Sequence, residues 1–196
     1  MPHLEHEPLI RRILGANFVE LKLVKLLVTE LPDDGSAAKI TVAEGTDTVE
    51  VDGKGVGVVD AIYAGLLARY AKNYQSLQTI RLTNFHVHAD IETRKAQAGV
   101  DAVARVTLDV TNSEQKQFAF SDASRSVLMS TAKVVLEMVQ YFVNAEKAFL
   151  MLHNARKDAA ARGREDLVSR YTAEMAEVVE STSYAEVIAN ARKDLE

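Results

Sequence analysis

Apolar and polar residues alternate in three short runs along the first half of the chain. In residues 18–29, FVELKLVKLLVT, Leu21 and Leu23 share one parity and Glu20 has the other, which predicts a half-buried strand. The runs AAKITVA and TVEVDG alternate in the same way, and the turn-forming stretches PDDGS and EGTD separate the three runs. Residues 58–72 then have helical spacing. The first half therefore predicts three strands followed by a helix.

The second half repeats this order. QTIRLTNFHVHAD, VDAVARVTLDVT and KQFAF predict three strands, and a long helical segment begins near Ser124. The first strands of the two halves, LKLVKL at 21–26 and IRLTNF at 80–85, change parity at the same place, which predicts an equivalent β-bulge or crossover in both copies. In the second strands, AKITV from Ala38 matches ARVTL from Ala104. These agreements favour an internal repeat.

The patterns predict an α+β fold built from two pseudo-symmetric βββα units. The units span about residues 18–72 and 77–146 and form one domain. Residues 1–17 are interpreted as an N-terminal extension, and residues 147–196 as a helical tail. One domain of this size is what 196 residues with 47% hydrophobic content allow.

The helical tail carries an apolar stripe that must be covered. The helix of the second unit is predicted to continue to Gly163, and a last helix begins where Ser183 and Glu186 have the spacing of a capping box. Between them, one helix places six apolar residues on one face: Leu167, Val168, Tyr171, Met175, Val178 and Val179. Either the sheet domain of the same chain or a second chain covers this face, and the pattern leaves both open.

Charge and cysteine content exclude several classes of function. A net charge of −5 without a Lys/Arg cluster argues against nucleic acid and anionic membranes as partners. The absence of cysteine excludes disulfides, thiolate metal sites and a cysteine nucleophile. The N-terminus lacks the pattern of a signal peptide, and no apolar run is long enough to span a bilayer. A cytoplasmic protein is expected.

Three glycines, Gly53, Gly55 and Gly57, stand directly ahead of the first predicted helix. Their G-x-G-x-G spacing lacks the Lys-Ser/Thr of a P-loop and does not fit the G-x-G-x-x-G of a dinucleotide fold, so phosphate binding is disfavoured. Glycines at this place permit the positive φ of a tight turn, and they let the backbone approach a neighbour closely. The N–H groups of the helix start also offer a binding place for a carboxylate.

A metal site is disfavoured as well. His86 and His88 share one face of a predicted strand, a geometry that suits a divalent metal. The spacing of His3, His6 and His153 nominates none of them as a third ligand. We therefore interpret HVH as a solvated or interface face and expect neither a metal nor a cofactor.

No nucleophilic active site is predicted. Serines are frequent in SDASRSVLMSTAK, but the chain has no G-x-S-x-G elbow. Asp122 and Ser124 are interpreted as caps of the following helix, and Asp33 and Asp34 as turn residues. No catalytic residue follows from these patterns.

GVGVVDA at residues 55–61, IRLTNFHV at 80–87 and the run from Gly99 to Leu108 follow one another in an order that resembles a known family. They are similar to the G-x-G-P-V-D-A turn, the I-x-L-x-D-Y-x-V strand and the G-x-D-A-x-x-x-V-x-V motif of the LeuA dimer domain. This is the C-terminal regulatory domain of α-isopropylmalate synthases and related citramalate synthases. The resemblance covers residues 18–146.

The sequence departs from the family's motifs at two single positions and at the start of the second helix. Val58 stands in place of the proline that presets φ in the first helical turn, and Phe85 in place of a tyrosine. At the second helix, DASRSV at residues 122–127 stands where the family commonly has G-x-S-x-[DN]-I. The second helix start is therefore expected to have lost its role as an anion site.

The resemblance implies a non-catalytic regulatory domain that forms a homodimer and binds a branched-chain amino acid, leucine or isoleucine, near the dimer interface. Carried over to this sequence, it nominates six ligand-binding positions: Gly55, Gly57, Val59, Asp60, Leu82 and Phe85. The synthases carry a catalytic TIM barrel of about 250 residues ahead of this domain, whereas seventeen residues precede the first predicted strand here. We expect regulation of a separate catalytic synthase chain, with a fragment of a longer synthase as a further reading. The alternative is a dimeric structural or interaction protein whose helical tail binds a partner and whose effector site is lost.

Overall fold

The computed structural model describes residues 2–89 and 103–179, which form two three-stranded sheets and four α-helices. In chain order the elements are α1 (Pro2–Leu14), β1 (Leu21–Leu31), β2 (Gly35–Glu44), β3 (Asp47–Gly55), α2 (Val58–Tyr70), β4 (Arg81–Ala89), β5 (Ala104–Thr111), β6 (Gln117–Ser124), α3 (Val127–Ala161) and α4 (Glu165–Val179). Both sheets are antiparallel meanders, in the orders β1-β2-β3 and β4-β5-β6. The predicted α+β fold with two βββα units is confirmed.

A β-bulge interrupts the first strand of each unit at the predicted place. The register of β1 against β2 shifts between Leu23 and Lys25, and that of β4 against β5 shifts between Leu82 and Asn84. The extra residue in each strand explains the change of parity seen in the sequence. This prediction is confirmed.

The bulges also fix which residues of the two units are equivalent. After the bulge, Leu26 pairs with Ile40 in the first sheet and Phe85 pairs with Leu108 in the second, so Ile40 corresponds to Leu108. The sequence match of AKITV with ARVTL instead equates Ile40 with Val106 and is wrong by two residues. Because side chains repeat every two residues along a strand, that error leaves each side chain on the correct face.

Helices cover part of the inner face of each sheet. α2 lies against β2 and β3, whereas α3 lies against β5, β6 and also β1. In the second unit, Phe118 and Phe120 of β6 pack edge-on against Phe142 of α3, with ring centroids 5.2 and 6.3 Å apart. Buried residues from both units and from all four of these α-helices belong to one continuous hydrophobic core.

α3 holds the entry to the first strand with two side chains. The Asn144 amide accepts a hydrogen bond from Val19 N (2.7 Å) and donates one to Val19 O (2.8 Å), as a neighbouring strand would. One helical turn earlier, Gln140 Oε1 accepts from Leu21 N at 2.7 Å. The backbone of β1 is therefore satisfied by a helix that belongs to the second unit.

The connection between the two units is held from both sides. It contains the short 3-10 helix Gln75–Thr79, whose presence moves the start of β4 to Arg81, three residues later than predicted. The buried carboxylate of Glu146 on α3 accepts from Ser76 N (2.9 Å) and Ser76 Oγ (2.5 Å). Tyr63 on α2 donates to Leu77 O at 3.1 Å, and burial raises the pKa of Tyr63 to about 12.

The segment before the first strand forms α1, for which the sequence analysis predicted no structure. Leu9, Ile10 and Leu14 are buried in the common core, where α1 packs on α3. Burial raises the pKa of Glu137 on α3, and the nearby carboxylates of Glu7 and Asp122 raise it further. α1 thus covers part of the second unit.

The apolar stripe of α4 is covered within the same chain. α4 packs back on α3, Val178 is fully buried, and Tyr171 and Met175 pack against the core. The Glu174 carboxylate forms salt bridges with Arg12 of α1 (3.3 Å) and with Arg170 of α4 (3.2 Å). The last predicted helix, from Ser183 onward, lies outside the described residues. None of the helices in the two described ranges is long and apolar enough to cross a membrane.

Candidate ligand groove between two helix starts

The glycine stretch ahead of α2 brings the backbone of β3 against the helix. A methyl group added to Gly53 would lie 2.0 Å from the Ala61 carbonyl oxygen, and one added to Gly55 would lie 2.5 Å from Ala61 N. Gly65 of α2 faces the same strand, with Asp52 O 3.1 Å from the position of a Cβ. The expectation of close approach is confirmed for these glycines.

The expectation of a positive φ in this turn is wrong. Gly53, Gly55 and Gly57 are absent from the residues with positive φ, and Gly57 has an extended backbone with φ −143° and ψ 177°. Gly57 also has open space around the position of a Cβ. Gly53 and Gly55 are therefore needed because a side chain at either position would clash with α2. Gly57 is required neither for a positive φ nor to avoid a clash.

α2 begins without a side-chain cap. Gly57 is its N-cap residue, and the first intrahelical bond runs from Ala61 N to Gly57 O at 2.9 Å. A helix start has backbone N–H groups that no helical carbonyl can accept, and here no side chain of the N-cap accepts them either. Asp60 stands in the first turn. The start of α2 therefore combines free backbone donors with one carboxylate.

α3 begins with its own cap. Ser126 Oγ accepts from Met129 N at 3.2 Å, so Ser126 is the N-cap residue, in the place that Gly57 has in the first unit. In the register set by the two N-caps, Met129 corresponds to Asp60. The second helix start thus lacks both the free N–H group and the carboxylate of the first.

Asp122 and Ser124 do not cap α3 as predicted. Ser130 Oγ donates to Asp122 Oδ2 at 2.6 Å and lies 2.8 Å from Ser124 Oγ, so the three side chains form a hydrogen-bonded chain between β6 and α3. Ser124 Oγ also accepts from Ser126 N at 3.2 Å. These residues fasten the helix to the strand, and Ser126 performs the capping.

A groove of about 540 Å³ opens where the two helix starts and β4 meet. Its lining residues come from the first turns of both helices and from one strand position: Gly57, Val58, Val59, Asp60, Phe85, Val127, Leu128 and Thr131. Asp60 is the one ionisable residue among them. The groove therefore has an apolar body with a single charged end, a composition typical of small-molecule sites.

The structure brings four of the six nominated residues together in this groove. Gly57, Val59, Asp60 and Phe85 line it. Gly55 lies beneath the turn, against the backbone of α2, and Leu82 packs against the core beside the bulge. These last two residues shape the surroundings of the groove and do not line it.

Sequence reasoning missed four lining residues. They are the valine that opens each helix and two further residues of α3: Val58, Val127, Leu128 and Thr131. The repeat contained the signal for one of them, because Leu128 corresponds to the nominated Val59 in the register of the N-caps. Applying the repeat to Val59 would have found it.

The two histidines of HVH lie outside the groove. His86 and His88 are exposed on β4, and His86 Nε2 lies 3.8 Å from Asp109 Oδ2. Among the residues that the structure describes, no group of three or more His, Asp or Glu side chains is arranged to hold a metal ion.

A comparison with protein families matches residues 5–143 to the LeuA allosteric (dimerisation) domain. No curated protein matches the chain. The matched span begins within α1, contains β1 to β6 and α2, and ends within α3. It covers most of the chain and includes every residue that lines the groove. The chain belongs to the family of LeuA allosteric (dimerisation) domains.

Proposed function

We propose that this chain is a non-catalytic regulatory domain that binds a branched-chain amino acid in the groove and acts on a separate catalytic synthase chain. Membership of an allosteric domain family supports the regulatory part. The family's description as a dimerisation domain supports a homodimer. The identity of the ligand is supported by the distribution of polar groups in the groove.

The observation that carries the proposal is the match between the groove and an aliphatic amino acid. The uncapped N–H groups at the start of α2 suit the α-carboxylate, because a helix N-terminus favours negative charge. Asp60, at the same end of the groove, suits the ammonium group. The aliphatic side chain then lies along Phe85, Val127 and Leu128. Each part of the ligand has a partner of matching chemistry.

One ligand per chain is expected from these contacts. The pseudo-equivalent position at α3 cannot receive a carboxylate in the same way, because Ser126 already accepts from Met129 N. An ammonium group has no partner there either, since Met129 replaces Asp60. The pseudo-symmetry of the fold is therefore not matched by symmetry of binding.

Titration calorimetry with leucine, isoleucine and valine tests the proposal. We expect binding of at least one of them with a stoichiometry of one per chain. Leucinamide keeps the ammonium and the side chain but lacks the carboxylate, so it is expected to bind at least about tenfold more weakly. Absence of heat with all three amino acids at millimolar concentration would contradict the proposal.

A charge-neutral variant tests the contact with the ammonium group of the ligand separately from the contact with its carboxylate. Asp60→Asn removes the partner of the ammonium group and is expected to lower the binding affinity for the amino acid by about tenfold or more. Asp52→Asn is the matched control, because Asp52 is an exposed carboxylate of β3 that does not line the groove. Equal affinities of the two variants would place the ammonium elsewhere.

A further inference from the structure

The groove is built from parts of both βββα units. α2 belongs to the first unit, whereas β4 and α3 belong to the second, and each of these three elements contributes lining residues. The width of the groove therefore depends on how the two units are placed against each other. We call residues 71–80, which connect α2 to β4, the linker.

One side chain of α3 binds the middle of the linker. Glu146 is 4% exposed, and its carboxylate accepts hydrogen bonds from Gln75 N (3.2 Å), Ser76 N (2.9 Å) and Ser76 Oγ (2.5 Å). All three donors belong to the linker. Because a buried carboxylate is costly unless its oxygens accept hydrogen bonds, this contact favours one position of the linker on α3.

The three elements that line the groove meet a second time at this contact. α2 ends and β4 begins within six residues of Ser76. From the other side, Tyr63 on α2 donates to Leu77 O (3.1 Å) and Ile80 O (3.2 Å) of the same linker. Glu146 therefore fixes the end of α2 and the beginning of β4 on α3 at the same time.

The contact lies far from the groove itself. Glu146 follows Thr131, the last groove-lining residue of α3, by 15 residues, which corresponds to about 22 Å along a helix. α2 and α3 both begin at the groove and pack on each other. Since packed helices shift as whole elements, a movement of the linker on α3 also moves the helix starts.

We propose that Glu146 is a positioning residue for the groove: by holding the linker on α3, it sets the separation between the starts of α2 and α3. This inference rests on the groove being the ligand site of the proposed function, and it adds a residue that acts on that site without touching the ligand. Hydrogen bonds suit this task because they fix direction as well as distance, whereas apolar contacts are not directional.

The separation of the helix starts can be measured without a ligand. The chain contains no cysteine, so Val56→Cys and Arg125→Cys can each carry one spin label. Both residues are exposed, directly precede an N-cap residue and do not line the groove. Labelled chains are diluted with unlabelled ones, so that pulsed electron paramagnetic resonance measures distances within one chain. Glu146→Ala is expected to shift or broaden this distance, and an unchanged distribution would overturn the inference.

Calorimetry measures the effect on the ligand, with the amino acid that binds the wild type most tightly. Glu146→Ala removes the acceptor of all three hydrogen bonds and is expected to lower the affinity by about tenfold. Glu146→Gln keeps one acceptor oxygen for Ser76 but turns an NH2 group toward Gln75 N. This conservative variant is expected to bind with an affinity between those of the wild type and Glu146→Ala.

Asn112→Ala is the matched control for loss of stability. Asn112 is 1% exposed, and its side chain accepts from Glu114 N (3.0 Å) and Lys116 N (2.9 Å) in the turn between β5 and β6. This variant also loses buried hydrogen bonds, but all of them lie within one unit. It is expected to have a lower thermal midpoint with the wild-type affinity and label distance. An equal loss of affinity in Asn112→Ala and Glu146→Ala would overturn the inference. Circular dichroism spectra establish that all variants fold.

The two proposals fail in different experiments. Calorimetry of the wild type with leucine, isoleucine and valine decides the ligand, whatever the role of Glu146. The label distance decides the role of Glu146, whatever the groove binds. An unchanged distance in Glu146→Ala, with amino-acid binding intact, would contradict the positioning role alone.

Discussion

The two βββα units place a helix on their last strand by different means. In the first unit, Gly53 and Gly65 remove side chains from the contact, so that the backbones of β3 and α2 touch. In the second unit, the position of Gly53 is taken by Asp122 and that of Ala61 by Ser130, and a hydrogen bond of 2.6 Å joins them. Equivalent positions thus carry backbone contact in one copy and polar side chains in the other.

The difference shows what a βββα unit requires and what it can exchange. Both copies keep the bulge, the order of the strands and an apolar inner face. The residues between strand and helix vary, provided that their sizes or hydrogen bonds match across the contact. The two units therefore share the position of the helix start, whereas the residue types at that start differ between them.

The largest expected effect comes from adding a side chain to the backbone contact. Gly53→Val places atoms within 2.0 Å of the Ala61 carbonyl oxygen, which only a movement of α2 can relieve. We expect a loss of at least about 3 kcal/mol in the free energy of unfolding, measured by urea denaturation. Gly57→Ala, with open space around its Cβ, is expected to cost no more than about 1 kcal/mol. Similar losses in the two variants would contradict the backbone contact.

A smaller effect is expected in the second unit. Ser130→Ala gives α3 the residue that α2 has at Ala61 and removes the donor to Asp122. Because Ser130 is fully buried, we expect a loss of about 1 to 2 kcal/mol in the free energy of unfolding. Ser121→Ala, outside this hydrogen-bonded chain, is expected to change it by less than about 0.5 kcal/mol. A double-mutant cycle with Asp122→Ala measures the coupling, and additive losses would argue against it.

The smallest effect on stability comes from exchanging the two N-caps. Gly57→Ser gives α2 the cap that Ser126 gives α3, and it is expected to add a few tenths of a kcal/mol while weakening amino-acid binding roughly three- to tenfold. Ser126→Gly is expected to remove a similar amount of stability without changing the affinity. Both are measured by thermal unfolding and calorimetry. If Gly57→Ser left the affinity unchanged, the carboxylate would not lie at α2.

Local periodicity was sufficient to predict the parts of the fold that depend on neighbouring residues. The bulges after Leu23 and Leu82 appeared directly as breaks in alternation. The helix of residues 2–14 did not, because it has Pro8 inside it and its apolar residues Leu9 and Ile10 are explained only by their contact with α3. A short helix of this kind is determined by tertiary packing.

The candidate site was predicted in part through the resemblance to the LeuA dimer domain. That resemblance nominated Gly57, Val59, Asp60 and Phe85, and all four line the groove. The contribution of α3 was not recognised, because a valine and a leucine at a helix start resemble ordinary core residues. The roles of Asp122 and Ser124 were misassigned, since caps and side-chain networks use the same residue types.

The clamp of Asn144 and Gln140 on the first strand has a consequence for folding. These hydrogen bonds join residues 125 and 119 positions apart, so the start of β1 is completed only by a helix that is synthesised much later. Contacts over such distances slow folding, because a long loop must close before they form. During synthesis on the ribosome, the Val19 and Leu21 amides are therefore expected to remain bound to water until Asn144 and Gln140 have been added to the chain and α3 packs on β1.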